Sequence, residues 1–287
     1  MSTSARRSGR RRFTLIAQLV AVVLAVAAAV TVIAEGPGGH PAAERLAADE
    51  MDVPALSATP LPPSVVPAPS ASAPVSSSPA QSPSPVLRMP GAVPSAGAGR
   101  FSYDDRGGPV LGRAGEVRRY RVAVEVGSGE DAAAFGEAVR VALAGPGSWV
   151  DSGRLRLQQV PAGASRDFTV YLATAGTARR MCADGGVDIR VGGRAYTSCR
   201  APGQVIINLD RWRLSVPHFV RARVPLQTYR TYVVNHEVGH QLGHRHERCP
   251  GSGRPAPVMM QQTLFLNGCT PNPWPYVGGR RYAGPPL

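Results

Sequence analysis

His236-Glu237-Val238-Gly239-His240-Gln241-Leu242-Gly243-His244-Arg245-His246 gathers four of the chain's six histidines into eleven residues. On a helix, positions four apart are separated by about 400°, so His236 and His240 project about 40° apart from Cβ atoms about 5–6 Å apart. That separation suits two imidazoles on one tetrahedral divalent ion, with bonds of about 2.0–2.1 Å. Glu237 follows the first ligand directly and is placed to accept a proton from a metal-bound water and return it to a leaving group. On a continuing helix His246 would point about 240° away from His240. Gly243 removes that obstacle, because glycine adopts the left-handed conformation after a helix end and redirects the chain. His246 is then a third ligand, and a fourth position stays open for water, which marks a catalytic zinc site and not a structural one. The rival is an unbroken helix with a His236, His240, His244 stripe; on the turned reading His244 is a solvated neighbour. The spacing H-E-x-x-H-x-x-G-x-x-H arises by chance in about one sequence of this composition in 10⁵, which sets coincidence aside.

The helix bearing these residues is expected to start near Pro225 or Leu226 and to run to Gly243. Upstream, Val117 to Val126 alternates, with Tyr120, Val122, Val124 and Val126 on one side and Arg119, Arg121 and Glu125 on the other, the pattern of a half-buried strand. Ser128 and Asp131 resemble a capping box opening a helix whose buried face carries Phe135, Val139 and Ala142, and Gly145-Pro146-Gly147 ends it. Further strands are expected at residues 154–160, 167–174, 187–191 and 204–209. Strands first, then a few helices, then a Gly- and Pro-rich irregular part, read as an α+β domain with a mixed sheet over residues 100–287.

His236, Glu237, His240, Gly243 and His246 match residue for residue the extended zinc signature of metzincin metallopeptidases, and the stretch from about Cys199 to Cys269 resembles an exported zincin-like family of unknown function from high-GC Gram-positive bacteria. The resemblance implies a zincin-like fold, one catalytic zinc ion, His236, His240 and His246 as its ligands and Glu237 as general base. It also implies a methionine in a tight turn beneath the metal, for which Met259 is the first candidate and Met260 the second. Several metzincins carry a Tyr two positions after that methionine. Here Gln261 or Gln262 stands there, with Tyr276, Tyr282, a Gln or an Arg as substitutes for the oxyanion donor. In zincin folds an edge strand above the active-site helix holds the substrate peptide, and Gln204 to Leu209 is a candidate for it beside the plain reading of a buried strand.

Cys182, Cys199, Cys249 and Cys269 are even in number and confined to this domain. In an oxidising compartment they favour two disulfides. Of three pairings, Cys182–Cys199 and Cys249–Cys269 each close a loop of about twenty residues, worth about 3 kcal/mol in the chain-entropy picture. No C-x₂₋₄-C spacing supports a Cys-bound zinc instead. Asp104, Asp105 and Glu247 are candidates for carboxylates that orient the ligands, against the plainer reading of surface acids.

The rest of the chain places this domain. Residues 1–14 are basic, and Arg6, Arg7, Arg10, Arg11 and Arg12 precede an apolar run over residues 15–34 long enough to span a bilayer, which orients the N-terminus to the cytoplasm and the remainder outside. A cleaved signal peptide, with secretion, is the alternative. Residues 35–99 hold twelve Pro between Pro54 and Pro94 without an aromatic residue, the composition of a disordered linker. The formal charge of +13, from 32 Arg and no Lys against 19 acids, does not by its total indicate nucleic-acid binding, which needs a local basic patch. The expected protein is a membrane-anchored extracellular zinc metallopeptidase acting on a peptide or protein substrate, cell-wall-associated material included. The alternatives are a cell-wall amide hydrolase and a non-catalytic, zinc-stabilised envelope binding module.

Overall fold

The computed structural model describes residues 84–287. The basic N-terminus, the apolar run over residues 15–34 and most of the linker, residues 35–83, lie outside the described residues. Among the described residues no helix is long and apolar enough to cross a membrane.

The fold is α+β around one mixed sheet. Its strands are β1 (Phe101–Tyr103), β2 (Val110–Leu111), β3 (Glu116–Glu125), β4 (Leu155–Gln159), β5 (Phe168–Ala173), β8 (Cys199–Ala201) and β9 (Gln204–Asn208), with the hairpin of β6 (Arg190–Val191) and β7 (Arg194–Ala195) outside it. The order is β2-β4-β3-β5-β9-β8; β3, β4, β5 and β9 run parallel, while β2 and β8 are antiparallel to their neighbours. β1 pairs antiparallel with the last residues of β3, Ala123 to Glu125, beyond the stretch that β4 covers.

Parallel strands require crossovers, and the helices supply them on both faces. α1 (Ala132–Ala144) and α5 (Leu226–Gln241) cover one face, where Tyr120, Val122, Val124, Val170, Leu172, Val205 and Ile207 pack with Phe135, Val139 and Val234. α2 (Ala175–Asp184) covers the other, packing Ala178 and Cys182 against Ile206, Cys199 and Ala201. Two short helices, α3 (Leu209–Leu214) and α4 (Pro217–Arg221), lead into α5.

This two-sided cover corrects the reading of β3. Its C-terminal half is buried on both faces, so Glu125, expected towards solvent, is 1 % exposed. Glu125 accepts from Gly99 N, Thr174 N and Thr174 Oγ1, each at 2.8 Å, and from Thr177 Oγ1 at 2.6 Å. At α1 the cap is Asp131 itself, whose Oδ1 accepts from Ala134 N at 2.8 Å; Ser128 accepts from Glu130 N instead of closing a capping box. The strand expected at 187–191 shrinks to β6. β9 lies between β5 and β8, so it is an interior strand, and the edge belongs to the short β8. The linker also ends earlier than residue 99: Leu226 N donates to Val86 O, Met89 N to Arg213 O and Gly176 N to Ser95 O, binding this segment to the domain.

Cys182–Cys199 and Cys249–Cys269 are disulfides, the one of the three open pairings that closes two local loops. The first staples α2 to β8. The second brackets the loop containing Met259 and Met260 and packs Cys269 with Met260 and Ala256. Beyond Gly243 the chain is mostly irregular, with one small hairpin of β10 (Tyr276–Val277) and β11 (Arg280–Arg281).

Candidate metal centre

α5 delivers His236, Glu237 and His240 from its last two turns and then stops. Gly243 adopts φ +94°, its N–H donates to His240 O at 3.1 Å, and His244 N donates to Gly239 O at 2.9 Å. Those two bonds form a Schellman ending, which satisfies the last carbonyls of the helix and turns the chain back. His246 consequently returns to the helix: its ring centroid lies 5.4 Å from that of His236 and 4.6 Å from that of His240. Ligand atoms of His236, His240 and His246 all fall within 4.8 Å of one another. His244 is instead exposed and stacks on Trp149, with centroids 4.3 Å apart.

The two helical imidazoles are oriented by backbone carbonyls. His236 Nδ1 lies 2.8 Å from Val258 O and His240 Nδ1 2.9 Å from His244 O. A carbonyl can only accept, so each Nδ1 carries the proton and each Nε2 keeps its lone pair. Burial first, and the neighbouring imidazoles second, depress the pKa of His236 well below the usual range and that of His246 to about 4. Burial lowers His240 too, with the charge of Arg200 adding to it. Three neutral rings converge, and His240 Nε2 and His246 Nε2 are 3.0 Å apart. Two nitrogens on one tetrahedral zinc would be about 3.3–3.4 Å apart, given bonds of about 2.0–2.1 Å. The donor set therefore fits a divalent ion that prefers nitrogen.

Glu237 is 5 % exposed, lines the same cavity and makes no hydrogen bond or ion pair among the described residues. Burial pushes its carboxyl up to about 8. The cavity, about 320 Å³, is bounded by α5, by β8 with its preceding loop, and by residues 261–264. Arg200, Gln241's partner across the cleft, and Thr263 belong to this wall and were not singled out from sequence; one Arg among so many carries no local signal.

Both methionines are fully buried, on different sides of their loop. Met259 joins the main core against α5 at Gly239, and Met260 faces the Cys249–Cys269 disulfide. Gln262 is also fully buried, its amide engaged by Pro257 O, Asn272 O and Asn272 N. Gln261 lines the cavity, and its side-chain amide has no hydrogen-bond partner among the described residues. Tyr276 and Tyr282 stand outside the cavity wall, and Tyr282 Oη donates to Pro255 O. None of the three candidate carboxylates touches an imidazole: Asp104 binds Arg106 and Gln159, Asp105 accepts from Ala162 N, and Glu247 pairs with Arg281 at 2.7 Å.

Residues 87–271 match the family described as Protein of unknown function (DUF3152), and the chain belongs to that family. No curated protein and no solved structure matches the chain.

Proposed function

We propose that the chain is an exported zinc metallopeptidase of metzincin type, hydrolysing peptide bonds in the cleft between α5 and β8. The convergence of three imidazole nitrogens within 4.8 Å, with Glu237 on the same wall, is the observation that supports this reading. His236, His240 and His246 hold the ion. Zinc bound there would polarise the scissile carbonyl and acidify a coordinated water. Glu237, which a cation held by the neighbouring imidazoles would keep ionised despite its burial, takes the proton of the attacking water and delivers it to the leaving amine. Val258 O and His244 O keep two imidazoles in the tautomer that leaves Nε2 free. Met259, packed against the helix between His236 and His240, keeps Val258 in register with its histidine. Gln261 occupies the position two past Met259 where several metzincins carry a Tyr, and its unengaged amide donates to the developing oxyanion. The two disulfides accord with an oxidising, extracellular setting, and the apolar run over residues 15–34 holds the domain at the membrane.

Metal analysis combined with peptide turnover tests the reading. The expected result is one zinc per chain and cleavage abolished by a chelator. Glu237→Gln retains the zinc while turnover falls by about 10²–10⁴. A protein that takes up no metal, or a Glu237→Gln variant that cleaves at the original rate, overturns it.

A further inference from the structure

Given the hydrolase reading above, on which this proposal rests, the open question is what the cleft accepts. Arg200 is the middle residue of the edge strand β8. Its neighbours Cys199 and Ala201 are buried on the α2 side of the sheet, so strand alternation sends Arg200 to the α5 side. There its Nε donates to Gln241 Oε1 at 3.1 Å, and its side chain lines the cavity together with His236, Glu237 and His240. The bond to Gln241 fixes the guanidinium and leaves its two terminal nitrogens with no acceptor among the described residues. Asp188, a carboxylate on the same wall, is already engaged by Arg190 through Nε at 2.9 Å and Nη2 at 2.8 Å. Arg200 thus makes no ion pair among the described residues, and it sits on the strand with a free edge.

We propose that Arg200 is a receptor for a carboxylate of the substrate, so that the cleft selects acidic peptides. Two Nη donors in one plane match the two oxygens of a carboxylate, whereas the uncharged amide of Gln offers no such complement. Charge-assisted hydrogen bonds of this kind correspond to about 10- to 100-fold in affinity. The carboxylate comes from an Asp or Glu side chain or from a peptide C-terminus, and both present the same chemistry.

The test is binding, not turnover. The full chain carrying Glu237→Gln and loaded with zinc is titrated with fluorescent Ala/Gly peptides bearing Glu, Gln or Arg at a single scanned position, each with a free or an amidated C-terminus. At one position Glu peptides are expected to bind about 10- to 100-fold tighter than their Gln counterparts. That ratio falls to about one when Arg200→Gln is added, and it inverts towards Arg-bearing peptides with Arg200→Glu. A preference that follows the free terminus instead of the scanned position assigns the carboxylate to the peptide end. Equal binding of Glu and Gln peptides with either terminus, a preference that survives Arg200→Gln, or no peptide binding at all overturns the proposal. Because nothing is cleaved in this assay, loss of the hydrolase reading and loss of the acid preference register separately.

Discussion

Replacing Gly239 with alanine sets two effects against each other inside α5. Gly→Ala in a helix interior normally stabilises by about 0.8–1.0 kcal/mol, because alanine loses less conformational entropy. At this position an added Cβ would lie 2.6 Å from Trp149 Cζ2 and would also run into Met259 Sδ. Neither neighbour has room to retreat: Met259 is fully buried, and Trp149 is 2 % exposed with its Nε1 donating to Asn235 O at 2.8 Å. Overpacking a closed site costs about 1–3 kcal/mol, and two simultaneous collisions place this one at the upper end. Subtracting the propensity gain leaves a net loss of about 2 kcal/mol. A domain of this size loses about 2–4 °C in Tm per kcal/mol, so calorimetry should show a fall of about 4–8 °C. The displaced Met259 also drags Val258, whose carbonyl orients His236, so zinc affinity should drop by about 10- to 100-fold in a chelator competition. Gly163→Ala is the control; a Cβ there meets nothing within 4 Å, and its effect should stay within about 0.5 kcal/mol. A Gly239→Ala protein that melts at or above the parent refutes the reasoning.

Gln261→Ala should lower kcat by about 10²–10³ with zinc content unchanged, whereas an unaltered kcat removes Gln261 from the oxyanion role. Gln262→Ala should act on stability instead, lowering the urea midpoint, because it strips a fully buried amide from Pro257 O and Asn272. Burial raises the pKa of Glu125, but hydrogen bonds from Thr177, Gly99 N and Thr174 outweigh it and hold the carboxyl below the usual range. A depressed folded value means stability that is present above about pH 4.3, the unfolded value, and lost as pH falls through the folded one. Glu125→Gln turns a donor towards those donors and should cost about 1–3 kcal/mol at neutral pH. The gap from the parent in urea melts should narrow below about pH 4; a gap constant with pH would assign Glu125 a packing role only.

The sequence was most legible where spacing alone constrains geometry. Hydrophobic patterning placed α1, β3, β4, β5 and β9, the histidine spacing with Pro225 and Gly243 placed α5, and the two disulfides are the pairing, of three open, that closes two local loops. Gly243 foretold the reversal that brings His246 back, since a positive φ after a helix leaves few other residues. α2 escaped because its pattern is thin: only Thr177, Ala178 and Cys182 are buried, and the residue before it, Thr174, spends its hydroxyl on Glu125 instead of capping the helix. β9 is the buried strand that stood as one of its two readings, with β8 pairing beyond it, whereas Glu125 was misjudged. Alternation reports which residues share a face but not whether a second layer covers the other, and here α2 does. The short β8 has three residues, too few for any alternation to register, and so the true sheet edge and Arg200 on it went unread.

The convergence of the three histidines was legible for the same reason that their orientation was not. Residue identity at fixed spacing names the three histidines, but what orients them is backbone, and backbone carbonyls leave no mark on sequence. His236 depends on Val258 O and His240 on His244 O. His246 has neither aid, and its place is set by the chain around it: Glu247 N donates to Met259 O at 3.1 Å, Arg248 N to Pro285 O at 2.7 Å, and Leu287 N to His246 O at 3.1 Å. Arg281 adds an ion pair to Glu247 at 2.7 Å, with both side chains largely buried. Of these four contacts, all but the one to Met259 come from residues beyond Pro271, where the family match ends. A triad brought together by spacing within the match is therefore steadied by a segment outside it: the motif decides which atoms meet, while the tail helps to hold the last of them in place.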